Sequence, residues 1–177
     1  KDVWYSFIQD FVEALESDAP TLVIDTGTQA WACDRQAFLQ EWQENIEATG
    51  LPGKRIPESL PQIMYTQPND RYKALLYGAK AKKKNLVIVH YETDEYELKF
   101  NAKTGEKESV ATGRPKFDGF SRTPTAADIM LRTTRKYDPK TRESIGHGEI
   151  TLCGLTVKVQ GLLLENPTWN SIMVQIA

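Results

Sequence analysis

Long apolar runs are missing from this chain. No stretch approaches the ~18 residues that a membrane-spanning helix needs. Cysteine is scarce, with two in 177 residues. Cys33 and Cys153 stand in unrelated contexts and neither belongs to a C-x-x-C, so each is read as a small apolar residue rather than a metal ligand or disulfide partner. Charge of one sign is not in excess: the formal net charge is -2, which supplies no general attraction to nucleic acid, and any such contact must come from a local patch. Internal repeats, low-complexity segments and a signal-peptide pattern are all lacking. Glycine-rich phosphate loops are lacking too, since neither G-x-x-x-x-G-K-[ST] nor G-x-G-x-x-G occurs. Reduced cysteines and no apolar span lead to the expectation of a cytoplasmic protein, bacterial or of an infected host cell. The remaining composition, 40% hydrophobic and 26% charged, is that of a globular chain whose length fits one domain.

What is present begins with Thr21, Leu22, Val23, Ile24, Asp25 and Thr26. A β-branched apolar run of this kind suits a buried parallel strand, and the carboxylate at its C-terminal end lies where open α/β sheets bind ligands. This is the pattern of a Walker-B strand, whose Asp holds the Mg²⁺ of a bound nucleotide directly or through water. A buried strand ending on an Asp that caps the next helix has the same pattern. The chain opens at Lys1 and enters a helix almost at once, with no phosphate loop before the strand. The expectation is that an N-terminal portion carrying that loop precedes these residues; a protein that never had one is the alternative.

Around this strand the periodicity is helical over residues 3–15, with Val3, Trp4, Phe7, Ile8, Phe11, Val12 and Leu15 on one side. A second helix is predicted from residue 28 or 29 to 48, closed by Gly50 as C-cap. Residues 51–68 hold prolines at 52, 57, 61 and 68 and read as a loop. Asn69 or Asp70 caps a third helix reaching about Lys83, with Tyr72, Leu75, Leu76 and Ala79 on one face. Lys80, Lys82, Lys83 and Lys84 suit its C-terminal dipole, and a second buried strand then ends on His90. Two such helix–strand units predict neighbouring parallel strands at the centre of one sheet. Beyond them, residues 95–100 alternate as a strand, 101–106 form a turn and 108–111 return as a hairpin. Residues 129–137 alternate again, 138–148 read as a polar turn, and 149–164 as one or two strands broken near Gly154 and Gly161. Pro167 starts a short terminal helix with Trp169 and Ile172.

In this order, VWYSFIQDFVEALESD, TLVIDTGTQAW, DRYKALLYGAKAKKKNLVIVHYETDEY, GRPKFDGF, TAADIMLRTTRKY and ENPTWNSI resemble the phage-encoded RecA-like nucleotide-binding ATPases that accompany single-strand annealing and homologous recombination. The resemblance covers nearly the whole chain, through motifs that are individually loose. It implies an α/β fold: one RecA-like P-loop NTPase domain over 1–177, with a parallel central sheet, flanking helices and a C-terminal antiparallel β extension. It further implies ATP and Mg²⁺ as cofactors of the complete protein, and single-stranded DNA, a recombination partner protein and further copies of the chain as partners. Asp25 matches the Walker-B carboxylate and metal ligand, with Thr26 beside it. His90 matches the polar residue that senses the γ-phosphate and relays its state to DNA-binding loops. The family's Walker A loop has no counterpart in these residues, so the 177 residues by themselves are expected not to hydrolyse ATP.

Each of these residues has a plainer reading. Thr26 and Thr28 bond a metal-bound water or cap the helix that follows. His90 is a sensor or a satisfied strand-end histidine, and Lys80 to Lys84 only a helix end. Arg114, Lys116, Arg122, Arg132 and Arg135 make 113–136 locally basic. They reach a neighbouring subunit's nucleotide or DNA phosphate, with Phe117 and Phe120 stacking on bases, or they form a solvated face. Two other classes remain beside the ATPase. A non-catalytic α/β structural or interaction protein, for example of a phage particle, would have lost the phosphate loop. A metal-dependent nuclease is disfavoured, because no second carboxylate accompanies Asp25 at useful spacing and His90 and His147 lie far apart in sequence.

Overall fold

In the computed structural model, which describes residues 1–50, 56–101 and 105–177, the first strand and the helices around it form as their periodicity dictates. Helix α1, Asp2–Glu16, buries Trp4 and Phe11, two turns apart on one face. Strand β1, Thr21–Asp25, buries Leu22 and Ile24 and exposes the residues between them. Helix α2, Gly27–Thr49, is closed by Gly50 at φ 57°, a left-handed position that glycine occupies without steric cost. Strand β2, Asn85–Val89, pairs parallel with β1 in register, Thr21 opposite Asn85 and Asp25 opposite Val89. The predicted parallel neighbours are therefore present.

The larger parallel sheet around them is not: among the described residues β1 and β2 form a two-stranded sheet, and every other pairing is antiparallel. One face of the pair lies under the helices. On the other, Val23 is 63% exposed, and Val87 and Val89 are exposed beside it.

Helix α3, Thr66–Ala81, starts before the predicted Asn69 or Asp70 cap and has no side-chain cap of its own. A 3₁₀ turn, Gln62–Tyr65, leads into it. Pro68 is tolerated there because first-turn N–H groups have no intrahelical acceptor in any case. Residues 51–55 of the predicted proline-rich loop lie outside the described residues. Strands β3, Tyr91–Phe100, and β4, Lys107–Asp118, make a hairpin much longer than expected, with a register shift between Asp94 and Tyr96. Opposite that shift stands Gly113 at φ 74°. Most of the hairpin is exposed. Part of its predicted turn, 102–104, lies outside the described residues.

The chain divides into two compact units, Lys1–Phe120 and Ser121–Ala177. The core of the first is aromatic. Trp31, Tyr72 and Phe120 form a triangle with ring centroids 5.3–5.5 Å apart, a spacing that adds ring-edge attraction to the gain from burial. Trp4, Phe11, Leu22, Ile24, Ala37 and Leu75 complete it.

The second unit opens with a short helix α4, Thr123–Ala126, and carries a three-stranded antiparallel sheet of β5, Ile129–Asp138, β6, Glu143–Cys153, and β7, Leu163–Glu165. Residues 143–148, expected as a turn, belong to β6; the connection tightens instead through Arg142 at φ 60°. Helix α5, Trp169–Ile176, closes the unit with a Thr168–Ser171 capping box. Its core is aliphatic and small: Ile150, Cys153, Val159 and Ile172. Both cysteines are free, Cys153 buried and Cys33 partly so.

Candidate functional site

Parallel pairing places the C-terminal ends of β1 and β2 side by side, so Asp25 and His90 arrive at the same edge. Asp25 is exposed, and its carboxylate has no hydrogen bond or ion pair among the described residues. The next two residues turn the chain into α2. Thr26 is its N-cap, its Oγ1 accepting the Gln29 N–H at 3.2 Å, so its hydroxyl oxygen is engaged as the capping reading required.

Thr28 does not cap. Buried one residue into α2, it donates through Oγ1 to the Asp118 carbonyl and accepts the Tyr91 N–H at 3.0 Å. One hydroxyl thus joins the start of α2 to the first residue of β3 and the last of β4.

His90 lies in a slot between two glycines. A Cβ on Gly27 would stand 2.6 Å from Cε1 and 2.8 Å from Nε2 of the ring, and a Cβ on Gly119 would stand 2.6 Å from Cε1 and Nδ1. Such contacts are impossible, so glycine is required on both sides. The Phe117 ring meets the imidazole edge-on at 5.2 Å. Nδ1 lies 3.1 Å from the Asp118 carbonyl, which can only accept, so Nδ1 carries the hydrogen. Burial holds the His90 pKa below its ordinary value, the Asp118 carbonyl pulling the other way. The ring is therefore neutral at pH 7, with Nε2 a bare lone pair. That atom is buried and has no hydrogen-bond partner among the described residues. His90 is neither the fully satisfied strand-end histidine nor an open ligand.

The edge connects to the helices behind it through Tyr72, whose phenol donates to the Gly27 carbonyl at 3.1 Å. Burial raises that phenol to a pKa of about 12, so it keeps its proton. Gly27 and Gly119 were not singled out from the sequence as site residues, Tyr72 was placed only on a helix face, and Thr28 was expected as a cap or water ligand rather than as this link. Gly119 and Asp118 lie 29 and 28 residues beyond His90, and no local pattern links positions so far apart.

The basic stretch 113–136 is divided between the two units. Arg114 and Lys116 belong to β4 in the first unit, Arg122 precedes α4 in the second, and Arg132 and Arg135 lie on β5. Three residues apart on a strand, Arg132 and Arg135 point to opposite faces. The Arg132 guanidinium also stands 4.0 Å from Glu149. Arg114 lines an open depression of about 290 Å³ with Glu95, Tyr96, Glu97 and Thr112, where two carboxylates offset its charge. On the hairpin strands as a whole Glu92, Asp94, Glu95, Glu97, Glu108 and Asp118 outnumber Lys99, Lys107, Arg114 and Lys116. Phe120 is 2% exposed and so is not free to stack on a base, while Phe117 is half-buried with its ring against His90. Among the exposed aromatics, Tyr96 and Phe100 share one face of β3 with Leu98.

The lysine cluster is partly structural. Lys84 Nζ donates to the Ser17 and Ala19 carbonyls at 2.5 and 2.6 Å, and Lys82 pairs with Glu16 at 2.7 Å. Among the described residues no group of three His, Cys, Asp or Glu side chains converges to hold a metal by itself, and no helix is long and apolar enough to cross a membrane. A single uncommitted carboxylate such as Asp25 fits a Mg²⁺ whose other ligands are phosphate oxygens and water. No protein-family model, curated protein or solved structure matches the chain.

Proposed function

We propose that the chain is the portion of a RecA-like ATPase that follows its phosphate loop, acting on single-stranded DNA in phage recombination or annealing and assembling as an oligomer. The observation that supports this most is the pairing of a free carboxylate and a neutral imidazole at adjacent C-terminal ends of two parallel strands. That edge is where α/β sheets take ligands. The open Val23, Val87 and Val89 face lends further support, because parallel strands are ordinarily covered on both sides. A parallel pair with one bare β-branched face reads as a sheet that takes a covering layer on that face.

In this reading Asp25 would hold a Mg²⁺, which would neutralise charge on the phosphates. His90 supplies the response. Its Nε2 faces Gly27, so the ring would have to leave its slot to meet a bound anion. That movement breaks the Nδ1–H bond to Asp118 and releases the end of β4, transmitting the state of the nucleotide to the β3–β4 hairpin. An adjacent anion favours imidazolium, and binding would then take up a proton. The hairpin's Tyr96 and Phe100 face replaces Phe117 and Phe120 as the base-stacking surface.

The test uses the complete protein, including whatever precedes Lys1. Asp25→Ala should abolish Mg²⁺-dependent binding of a fluorescent ATP analogue. Tyr96→Ala with Phe100→Ala should weaken binding of single-stranded DNA with nucleotide affinity unchanged. Undiminished nucleotide binding and turnover in Asp25→Ala would return Asp25 to a plain strand end and leave the non-catalytic α/β interaction protein as the better reading.

A further inference from the structure

Behind the candidate edge, the first unit buries a carboxyl that helix packing alone does not call for. Asp34 of α2 is 0% exposed. It occupies the core-facing side of the helix with Ala30, Trp31, Ala37 and Phe38. Neither of its oxygens has a hydrogen-bond partner among the described residues. The nearest cation is Arg71 of α3, with Nη1 3.7 Å away. That guanidinium is committed elsewhere: it grips Glu41 at 2.6 and 3.3 Å and lies over the Phe38 ring at 5.6 Å. Tyr5 of α1 donates to the same Glu41 at 2.7 Å. Two carboxyls two turns apart on α2 thus compete for one guanidinium. The residue after Arg71 is Tyr72, which holds the Gly27 carbonyl, and Gly27 is one wall of the His90 slot.

We propose that Asp34 is a proton-operated latch on the α2–α3 interface: protonated, it leaves Arg71 to Glu41, and ionised, it draws Arg71 inward, shifting Tyr72, Gly27 and the His90 slot. The latch does not depend on nucleotide binding, so it stands or falls apart from the ATPase reading.

The electrostatics around the pair agree with this geometry. Burial is the main influence on Asp34 and raises its pKa from 3.8 to about 7; Arg71 opposes the rise and Glu41 adds to it. A carboxylate in an apolar site without a partner is costly, and protonation is the ordinary escape. Glu41 is also pushed up by burial, but its hydrogen bonds from Arg71 and Tyr5 outweigh that and keep it below its ordinary value, so it stays ionised. The charged and titratable groups facing Asp34 are Arg71 and Tyr72 from α3 and Glu41 and Arg35 from its own helix. From α1, Tyr5 and Lys1 act on Glu41. Within this set, Asp34 is the one group with a pKa placed near neutrality.

The chain has two histidines, so their Cε1–H NMR resonances are readily assigned with a His147→Gln variant. Followed in the full chain from about pH 5 to about pH 9, a range that brackets neutrality, the His90 resonance should show a second inflection near pH 7. This inflection is distinct from the ring's own titration, which burial places lower. Asp34→Asn should remove the second inflection and keep the first. Glu41→Gln, which frees Arg71 for Asp34, should move it to lower pH. A single inflection in the parent, or a second one surviving in Asp34→Asn, overturns the latch. If Asp34→Asn does not fold, an unmoved inflection in Glu41→Gln overturns it alone.

Discussion

The parallel pair β1–β2 and the hairpin β3–β4 follow one another along the chain and are held in opposite ways. The pair is five residues per strand, and its buried face, Leu22 and Ile24, packs into an aromatic core supplied by three helices. The hairpin is ten residues on one strand and twelve on the other, and Leu98 and Phe100 on it are 71% and 68% exposed. Its order comes from cross-strand hydrogen bonds and from the Thr28 and His90 contacts to Asp118. Sequence-local pairing with little burial makes an element that is formed but weakly anchored.

The sharpest break in this comparison should come from Phe120. It follows the hairpin in the chain but packs in the core with Trp31 and Tyr72. Phe120→Ala should destabilise the chain by about 3–5 kcal/mol in urea unfolding, and a cost under about 1 kcal/mol would mean that this ring triangle does not carry the first unit.

Next in size is a pH effect from Asp34. Its folded pKa, about 7, stands above the ordinary 3.8, so the folded state holds a proton that the unfolded chain releases. The Asp34 contribution to stability therefore falls as pH rises from 3.8 towards 7 and levels above it, a decline of about 4 kcal/mol. Asp34→Asn should flatten that stretch of the curve. Stability rising with pH over the same interval would contradict the burial argument.

Gly27→Ala tests the slot itself. The added Cβ would lie 2.3 Å from Ile88 Cγ2 and within 3 Å of His90. We expect a loss of about 1–3 kcal/mol and a shifted His90 NMR resonance, and an unshifted resonance would show the ring is not clamped there. The smallest effect belongs to the hairpin surface. Leu98→Ser should alter stability by less than about 0.5 kcal/mol, as read by the unfolding midpoint, and a larger loss would show that the face is covered by something other than water.

Several of these features were legible in advance. The apolar period of α1, the β-branched runs of β1 and β2, and the Gly50 C-cap depend on neighbours a few residues away, and short-range sterics and hydrophobic patterning settle them. The parallel pairing followed as well, since two consecutive helix–strand units have few other ways to bury their apolar faces. The extent of β4 was less legible, because its exposed, mixed-charge residues carry no alternation between apolar and polar; its length is set by pairing with β3. The same held for 143–148, where two glycines and polar residues looked like a turn but pair along β5.

By itself, then, the sequence determined the first unit's helix–strand order and the positions of Asp25 and His90 at strand ends, because those depend on local periodicity. Only the tertiary structure decided that Phe120 is core and that Gly27 and Gly119 close on one imidazole. It also decided that Asp34 is sealed from water beside an arginine already engaged by Glu41. Asp34 did leave a trace, a carboxylate on the apolar side of α2 between Trp31 and Phe38. Whether such a residue is solvated, paired or forced to keep its proton depends on what the other helices place against it, and that is a matter of distance and burial rather than of spacing along the chain.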